Sequence, residues 1–171
     1  VLGLGDIGQT FARKMKAMGS YIIGVRRHDI EKPDFVDEQY TMEALHGLLP
    51  RADVVAMSLP GYAATEGLIG AEELALMKET AILLNVGRGS AVDTAALDAA
   101  LRTGKIYGAG IDVTDPEPLP EEHPLWDAPH AIITPHVSGG YALPVTLEKI
   151  LRLSAENLAR YVFEQLSTSD I

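Results

Sequence analysis

Three short segments carry side chains that could act together on a carbonyl compound. They are Asn85-Val86-Gly87-Arg88-Gly89, Gly110-Ile111-Asp112-Val113 running on to Asp115-Pro116-Glu117-Pro118-Leu119, and Thr134-Pro135-His136-Val137-Ser138-Gly139-Gly140. Each follows an apolar run that reads as a strand, so Arg88, Glu117 and His136 fall beyond strand carboxyl ends. In open α/β sheets that edge is where ligands bind. An arginine there clamps a substrate carboxylate and polarises the neighbouring carbonyl. An imidazolium gives its proton to the carbonyl oxygen as hydride reaches the carbon. A carboxylate behind the histidine fixes its tautomer and favours its charged form. The set suits reduction of a 2-oxo acid. Taken singly, each has an ordinary role: a surface arginine, a solvated glutamate, a hydrogen-bonded structural histidine. Several roles meeting at one edge are what mark a site.

A hydride has to come from somewhere, and the start of the chain offers a donor's cradle. Gly3-Leu4-Gly5-Asp6-Ile7-Gly8 matches G-x-G-x-x-G between a short strand and an amphipathic helix. The glycines alone are weak evidence, because a structural turn can carry them, but the strand before and the helix after supply the missing context. Gly3 permits the tight turn, Gly5 leaves room for a pyrophosphate, and Gly8 lets the helix approach the sheet. Helix-start N–H groups, those of Asp6 and Ile7 among them, then point at the diphosphate. Dinucleotide sites that take NAD usually place an Asp or Glu about 20 residues on, to bond the ribose. Val25-Arg26-Arg27-His28 stands there instead. Guanidinium groups pair bidentately with a 2′-phosphate, so Arg26 and Arg27 point to NADP(H) as the preferred cofactor, with NAD(H) as the second option. The ordinary alternative is two solvated arginines.

Elements must position these groups, and strands alternate with helices along the whole chain. Strand-like runs end at Gly3 and cover Tyr21–Val25, Asp53–Leu59, Ala81–Val86, Ile106–Val113 and Ala131–Thr134. Helices are expected over Ile7–Met18, Met42–Leu49, Ala71–Lys78, Thr94–Arg102 and Tyr141–Leu166, with Asp93 as an N-cap and Gly19 and Gly104 as stops. Polar loops fill 26–41 and 114–129. Ile7, Phe11, Met15 and Met18 form one apolar helical face, and Leu147, Ile150, Leu151, Leu158, Tyr161, Val162 and Leu166 another. Met15, Met18, Met42, Met57 and Met77 are expected in the core, and the single Trp126 in core or interface packing. Near-continuous apolar strands call for a parallel sheet covered on both faces. The expected fold is α/β, a Rossmann-like doubly wound parallel sheet over residues 1–140, followed by a C-terminal helix over 141–171. Only two or three residues remain of the first, central strand, which would leave ladder groups on its neighbours unpaired.

Composition narrows the function classes. The 171 residues carry 14 Lys+Arg against 24 Asp+Glu, a formal charge of -10, the wrong sign for gripping a nucleic-acid backbone. No apolar stretch approaches the ~20 residues that cross a bilayer, so no membrane role is expected. With no cysteine there is no disulfide framework and no thiolate nucleophile, which fits a cytoplasmic location. His46, His123 and His130 read as surface or capping groups, His28 as a helper at a 2′-phosphate, and no histidine-carboxylate spacing fits a metal site.

With its motifs taken together, the sequence resembles the D-isomer-specific 2-hydroxyacid dehydrogenases. Ser58-Leu59-Pro60 and His123-Pro124-Leu125-Trp126 join the segments quoted above in that family's order. The resemblance implies Arg88 as substrate-binding residue, Glu117 as partner of the histidine and His136 as acid/base. It implies Asp112 near the nicotinamide, and Leu59, Pro60, Val86, Ser138 and Gly139 lining the cofactor cleft. Thr65 and Gly87 complete the candidate cofactor-binding residues. The family's usual Asp at the second strand is Arg26 here. The resemblance further implies a small 2-oxo acid or 2-hydroxy acid as substrate, a homodimer, and a substrate domain ahead of the phosphate loop. This chain lacks that domain, reads as a piece of something longer, and is expected to bind cofactor weakly and turn over nothing. Two rival readings are a dinucleotide-sensing, corepressor-like module without turnover, and an inert remnant.

Overall fold

The computed structural model describes residues 1–28, 30–140 and 144–168, the last five of these as backbone only. They divide into two compact units, Val1–His136 and the stretch from Val137 onward.

In the first unit, helix α1 (Asp6–Ala17) follows the glycine loop. It leads to β1 (Ile23–Val25), β2 (Glu38–Tyr40), the short α2 (Leu45–Leu48), β3 (Val54–Met57), α3 (Ala71–Leu76), β4 (Ile82–Asn85), α4 (Thr94–Arg102), β5 (Gly108–Ile111) and β6 (Ala131–Ile133). All pairings are parallel: β1 with β2, and β3-β4-β5-β6 in sequence. Leu2 joins the two groups by bridging Val25 on one side and Met57 on the other. Its flanking backbone donates from Leu2 to Ala56 (2.7 Å) and from Gly3 to Val25 (2.9 Å), and accepts from Val25 and Ser58. The spatial order is therefore β2-β1-(Leu2)-β3-β4-β5-β6. This is a Rossmann-type order, with the glycine loop leaving the central strand at the point where the sheet changes direction.

Val1 and Leu2 thus make a ladder between β1 and β3. Beside Val1 lies a cavity of about 410 Å³, lined by Val1, Met15, Ile22, Ile23, Arg51 and Val54 among others. The Val1 nitrogen donates to the Ile23 carbonyl at 2.7 Å.

The large core cluster fills around the central strands with Leu83, Met57, Leu97, Leu74, Ile69 and Ile106, each at most 2% exposed. A smaller cluster of Leu4, Ala12, Ile22 and Val36 sits with α1. Asp93 caps α4, accepting from Ala95 and Ala96 N–H, both at 3.0 Å.

Several expectations need correction. A strand, β2, lies inside the stretch read as a polar loop; Glu-Gln-Tyr has no apolar alternation because it is a sheet-edge strand with no buried residue. The expected 42–49 helix is a 3₁₀ turn, one α turn and another 3₁₀ turn, broken before Pro50. On α1 the buried residues are Gly8 and Ala12, while Ile7 and Met18 are 56% and 79% exposed. Small residues face the sheet because the phosphate loop brings this helix close. Trp126 is 48% exposed, not core, and donates its indole N–H to the Pro120 carbonyl. It belongs to a 3₁₀ turn, Pro124–Asp127, capped by His123.

In the second unit α5 spans Pro144–Thr168. Its expected start at Tyr141 lies outside the described residues, as does the side chain of Leu166. Leu147, Ile150, Leu151, Leu158, Tyr161 and Val162 of its stripe are each more than 40% exposed. No helix among the described residues is long and apolar enough to cross a membrane.

Candidate active site

The carboxyl edge of the sheet is stitched by backbone bonds that run through the candidate residues themselves. Asp112 N–H donates to the Asn85 carbonyl at 2.9 Å, and His136 N–H donates to the Asp112 carbonyl at 2.9 Å. Residues just past β4, β5 and β6 are thereby held side by side. His136 adopts φ 53°, a left-handed conformation uncommon outside glycine, and its N–H also reaches the Thr134 carbonyl at 3.0 Å. Such backbone strain persists only where surrounding structure enforces it. The imidazole Nδ1 lies 2.6 Å from Glu117 Oε1, with both side chains over 40% exposed. The loop after β5 thus brings a carboxylate to the histidine that follows β6.

Asp112 is 5% exposed, and its carboxylate accepts from the Thr134 hydroxyl at 2.5 Å. This ties the end of β5 to the Thr-Pro-His turn a second time. Sequence reasoning missed Thr134, although a hydroxyl two residues before the histidine was a usable signal.

Arg88 stands at the end of β4, supported by a residue the sequence reading quoted but gave no role. Asn85 is fully buried; its Oδ1 accepts from Gly87 N–H and its Nδ2 donates to the Arg88 carbonyl, each at 3.0 Å. A buried amide with both ends used fixes the Gly87-Arg88 turn. The guanidinium folds onto the Gly87 carbonyl at 2.7 Å and remains exposed. Gly61 makes room for the arginine stem, since a Cβ there would lie 3.1 Å from Arg88 Cγ. Gly87 itself is a packing residue: a Cβ would sit 2.5 Å from the Leu59 carbonyl oxygen.

The glycine loop has the form a diphosphate needs. Gly3 has φ +91°, which favours glycine, and the Ser58 hydroxyl donates to its carbonyl at 3.0 Å. Gly5 faces open space with nothing within 4 Å, whereas a Cβ on Gly8 would fall 1.8 Å from the Gly3 carbonyl oxygen. No side chain caps α1 at Gly5. A helix start over an open glycine is a ready anion cradle, so these residues fit the pyrophosphate of a dinucleotide. Asp6 and Ile7 are exposed in the first turn of α1.

Arg26 reaches toward this loop, with Nη2 3.4 Å from the Leu4 carbonyl and Nη1 3.5 Å from Gln39 Oε1. Arg27 lies over the Tyr62 ring, 5.7 Å from its centroid. Leu59 is buried and Val86 half-buried, while Pro60 is exposed at the start of the next loop. Thr65 has a structural part in its own loop. It is 2% exposed, and its hydroxyl is used by its own loop: 2.8 Å from the Pro60 carbonyl, 3.0 Å from the Tyr62 carbonyl, and 3.2 Å from Tyr62 N–H. Ser138 and Gly139 belong to the second unit.

The family model for the NAD binding domain of the D-isomer specific 2-hydroxyacid dehydrogenases matches residues 1–138. The chain belongs to this dehydrogenase family. It is 40% identical over 164 residues to a glyoxylate reductase of Aeropyrum pernix, covering 94% of this chain and 47% of that protein. Among solved structures, a D-isomer specific 2-hydroxyacid dehydrogenase of Xanthobacter autotrophicus Py2, in complex with NADPH and MES, superposes with TM-score 0.77. The two are 38% identical, and the match covers 91% of this chain and 65% of that one. The NADPH-dependent glyoxylate/hydroxypyruvate reductase SmGhrA of Sinorhizobium meliloti, in complex with NADP and sulfate, gives TM-score 0.84 at 30% identity, with 95% of this chain and 51% of that one covered. The chain spans about half the length of the curated relatives it matches.

Proposed function

We propose that this domain serves, within its protein, an NADPH-dependent reduction of a small 2-oxo acid to the D-2-hydroxy acid, with His136 as the acid. The observation that carries the reading is Glu117 Oε1 at 2.6 Å from His136 Nδ1, at the sheet edge shared with Asp112 and Arg88. A reduced nicotinamide bound there supplies the hydride. Arg88 pairs with the substrate carboxylate and orients the carbonyl. Glu117 accepts the Nδ1–H bond and fixes the ring, leaving Nε2–H of the imidazolium to donate its proton to the carbonyl oxygen. In the reverse direction neutral Nε2 takes that proton back. Asp112, tied to Thr134, would stand beside the nicotinamide with Leu59, Pro60 and Val86 of the same unit.

The preference for NADP(H) rests on Arg26 and Arg27 at the end of β1, where a carboxylate would repel a 2′-phosphate. Two structural relatives support it, one being NADPH-dependent and the other binding NADPH.

The test is oxidation of NADPH by the full-length protein carrying this domain, with glyoxylate, hydroxypyruvate and pyruvate offered in turn. Consumption with at least one acid is expected. His136→Gln should lower it about 10²–10⁴-fold and Glu117→Gln by less, with NADPH binding kept. A His136→Gln protein as fast as the parent overturns the assignment. Cofactor binding with no consumption of any acid points instead to the dinucleotide-sensing module.

A further inference from the structure

The loop from Pro60 to Thr65 meets an arginine on either side. At Gly61 it packs against the stem of Arg88, and at Tyr62 it carries the guanidinium of Arg27 over an aromatic face. The loop holds its shape through the buried Thr65, whose N–H donates to the Tyr62 carbonyl at 2.8 Å and whose hydroxyl accepts from Tyr62 N–H at 3.2 Å. Tyr62 is therefore a fixed shelf although its side chain is 38% exposed. A ring left in solvent on a pinned loop adds little to a core.

We propose that Tyr62 is a specificity-determining positioning residue for the cofactor: its ring holds the Arg27 guanidinium beside the end of β1, ready for a 2′-phosphate. This rests on the assignment of Arg26 and Arg27 to that phosphate. A guanidinium held over a ring by the cation–π attraction still has N–H groups to offer phosphate oxygens. An arginine on an exposed loop would otherwise lose rotamer freedom on binding, and a guanidinium already held loses less. Arg26 is engaged differently, with the Leu4 carbonyl and Gln39, so the two arginines are positioned by separate supports. Tyr62 touches no reacting atom, and its effect should be confined to the phosphorylated cofactor.

The experiment is titration of this chain with NADPH and with NADH, for the parent and for Tyr62→Ala, Tyr62→Phe, Arg27→Ala and the Tyr62→Ala/Arg27→Ala double variant, with thermal melts as the folding control. Tyr62→Ala should weaken NADPH about two- to fivefold, leave NADH unchanged, and add nothing in the Arg27→Ala background. Tyr62→Phe should bind like the parent, because the ring face and not the hydroxyl does the holding. Equal losses for both cofactors, or an undiminished loss in the Arg27→Ala background, overturn the role of Tyr62 alone. Parent affinities equal for NADPH and NADH overturn the two-arginine assignment, and this inference with it.

Discussion

Asn85 holds Arg88 by the backbone. The buried amide donates to the Arg88 carbonyl and accepts from Gly87 N–H, both at 3.0 Å, so the arginine's position is set by a side chain that never reaches solvent. Asn85→Ala strips both partners in a dry setting, where an unmet polar group costs about 1–3 kcal/mol. A lower urea midpoint is expected, with the slope unchanged. A midpoint equal to the parent's would mean that the turn holds itself.

The glycine loop separates folding from binding. Gly5 faces open space, so Gly5→Ala should keep stability within about 0.5 kcal/mol of the parent. The same methyl group fills the room a pyrophosphate needs, and NADPH binding should fall by an order of magnitude or more. Gly8→Ala drives a methyl group into the Gly3 carbonyl and should lose about 1–3 kcal/mol of stability as well as binding. Thermal melts beside NADPH titrations check both; unimpaired binding by Gly5→Ala would sink the assignment of this loop.

Acid should expose a surface network around Glu38. Hydrogen bonds from Arg51 first, then Tyr40 and Tyr21, lower its pKa to about 2 from the ordinary 4.5. Between those values the unfolded chain binds the extra proton, so this contribution to stability is complete above pH 4.5 and disappears as pH falls toward 2. Urea midpoints measured from pH 5 down to pH 2.5 should drop less steeply for Glu38→Gln than for the parent.

Helix α4 gives a purely local test. Asp93 satisfies two helix-start N–H groups, and Asp93→Ala should cost about 0.5–2 kcal/mol by chemical denaturation. Asp93→Asn, which keeps the acceptor, should lose much less.

Legibility in the sequence followed burial pattern. Strands β3, β4 and β5 announce themselves as continuous apolar runs because both faces are covered, and Asp93 and Gly104 punctuate α4. Strand β2 was unreadable: three residues with no buried position carry no period. Ile7 and Met18 misled because helical spacing records which residues share a face, not which face is pressed against the sheet. That choice went to Gly8 and Ala12, where close approach leaves no room for larger side chains.

The sequence by itself determined the parallel α/β class, the glycine cradle, the arginines where a carboxylate is usual, and the three segments bearing Arg88, Glu117 and His136. These are properties of residue type and spacing, which survive without knowledge of distance. Only the tertiary structure decided that Glu117 meets His136, that Asn85 and Thr134 are the supports, that Thr65 anchors a loop, and that Arg27 rests on Tyr62. Each of those pairs except Asn85 with Arg88 joins loops from different strands or buries a group in its own turn. Their contacts exist only once the sheet has set neighbouring strand ends a few ångströms apart.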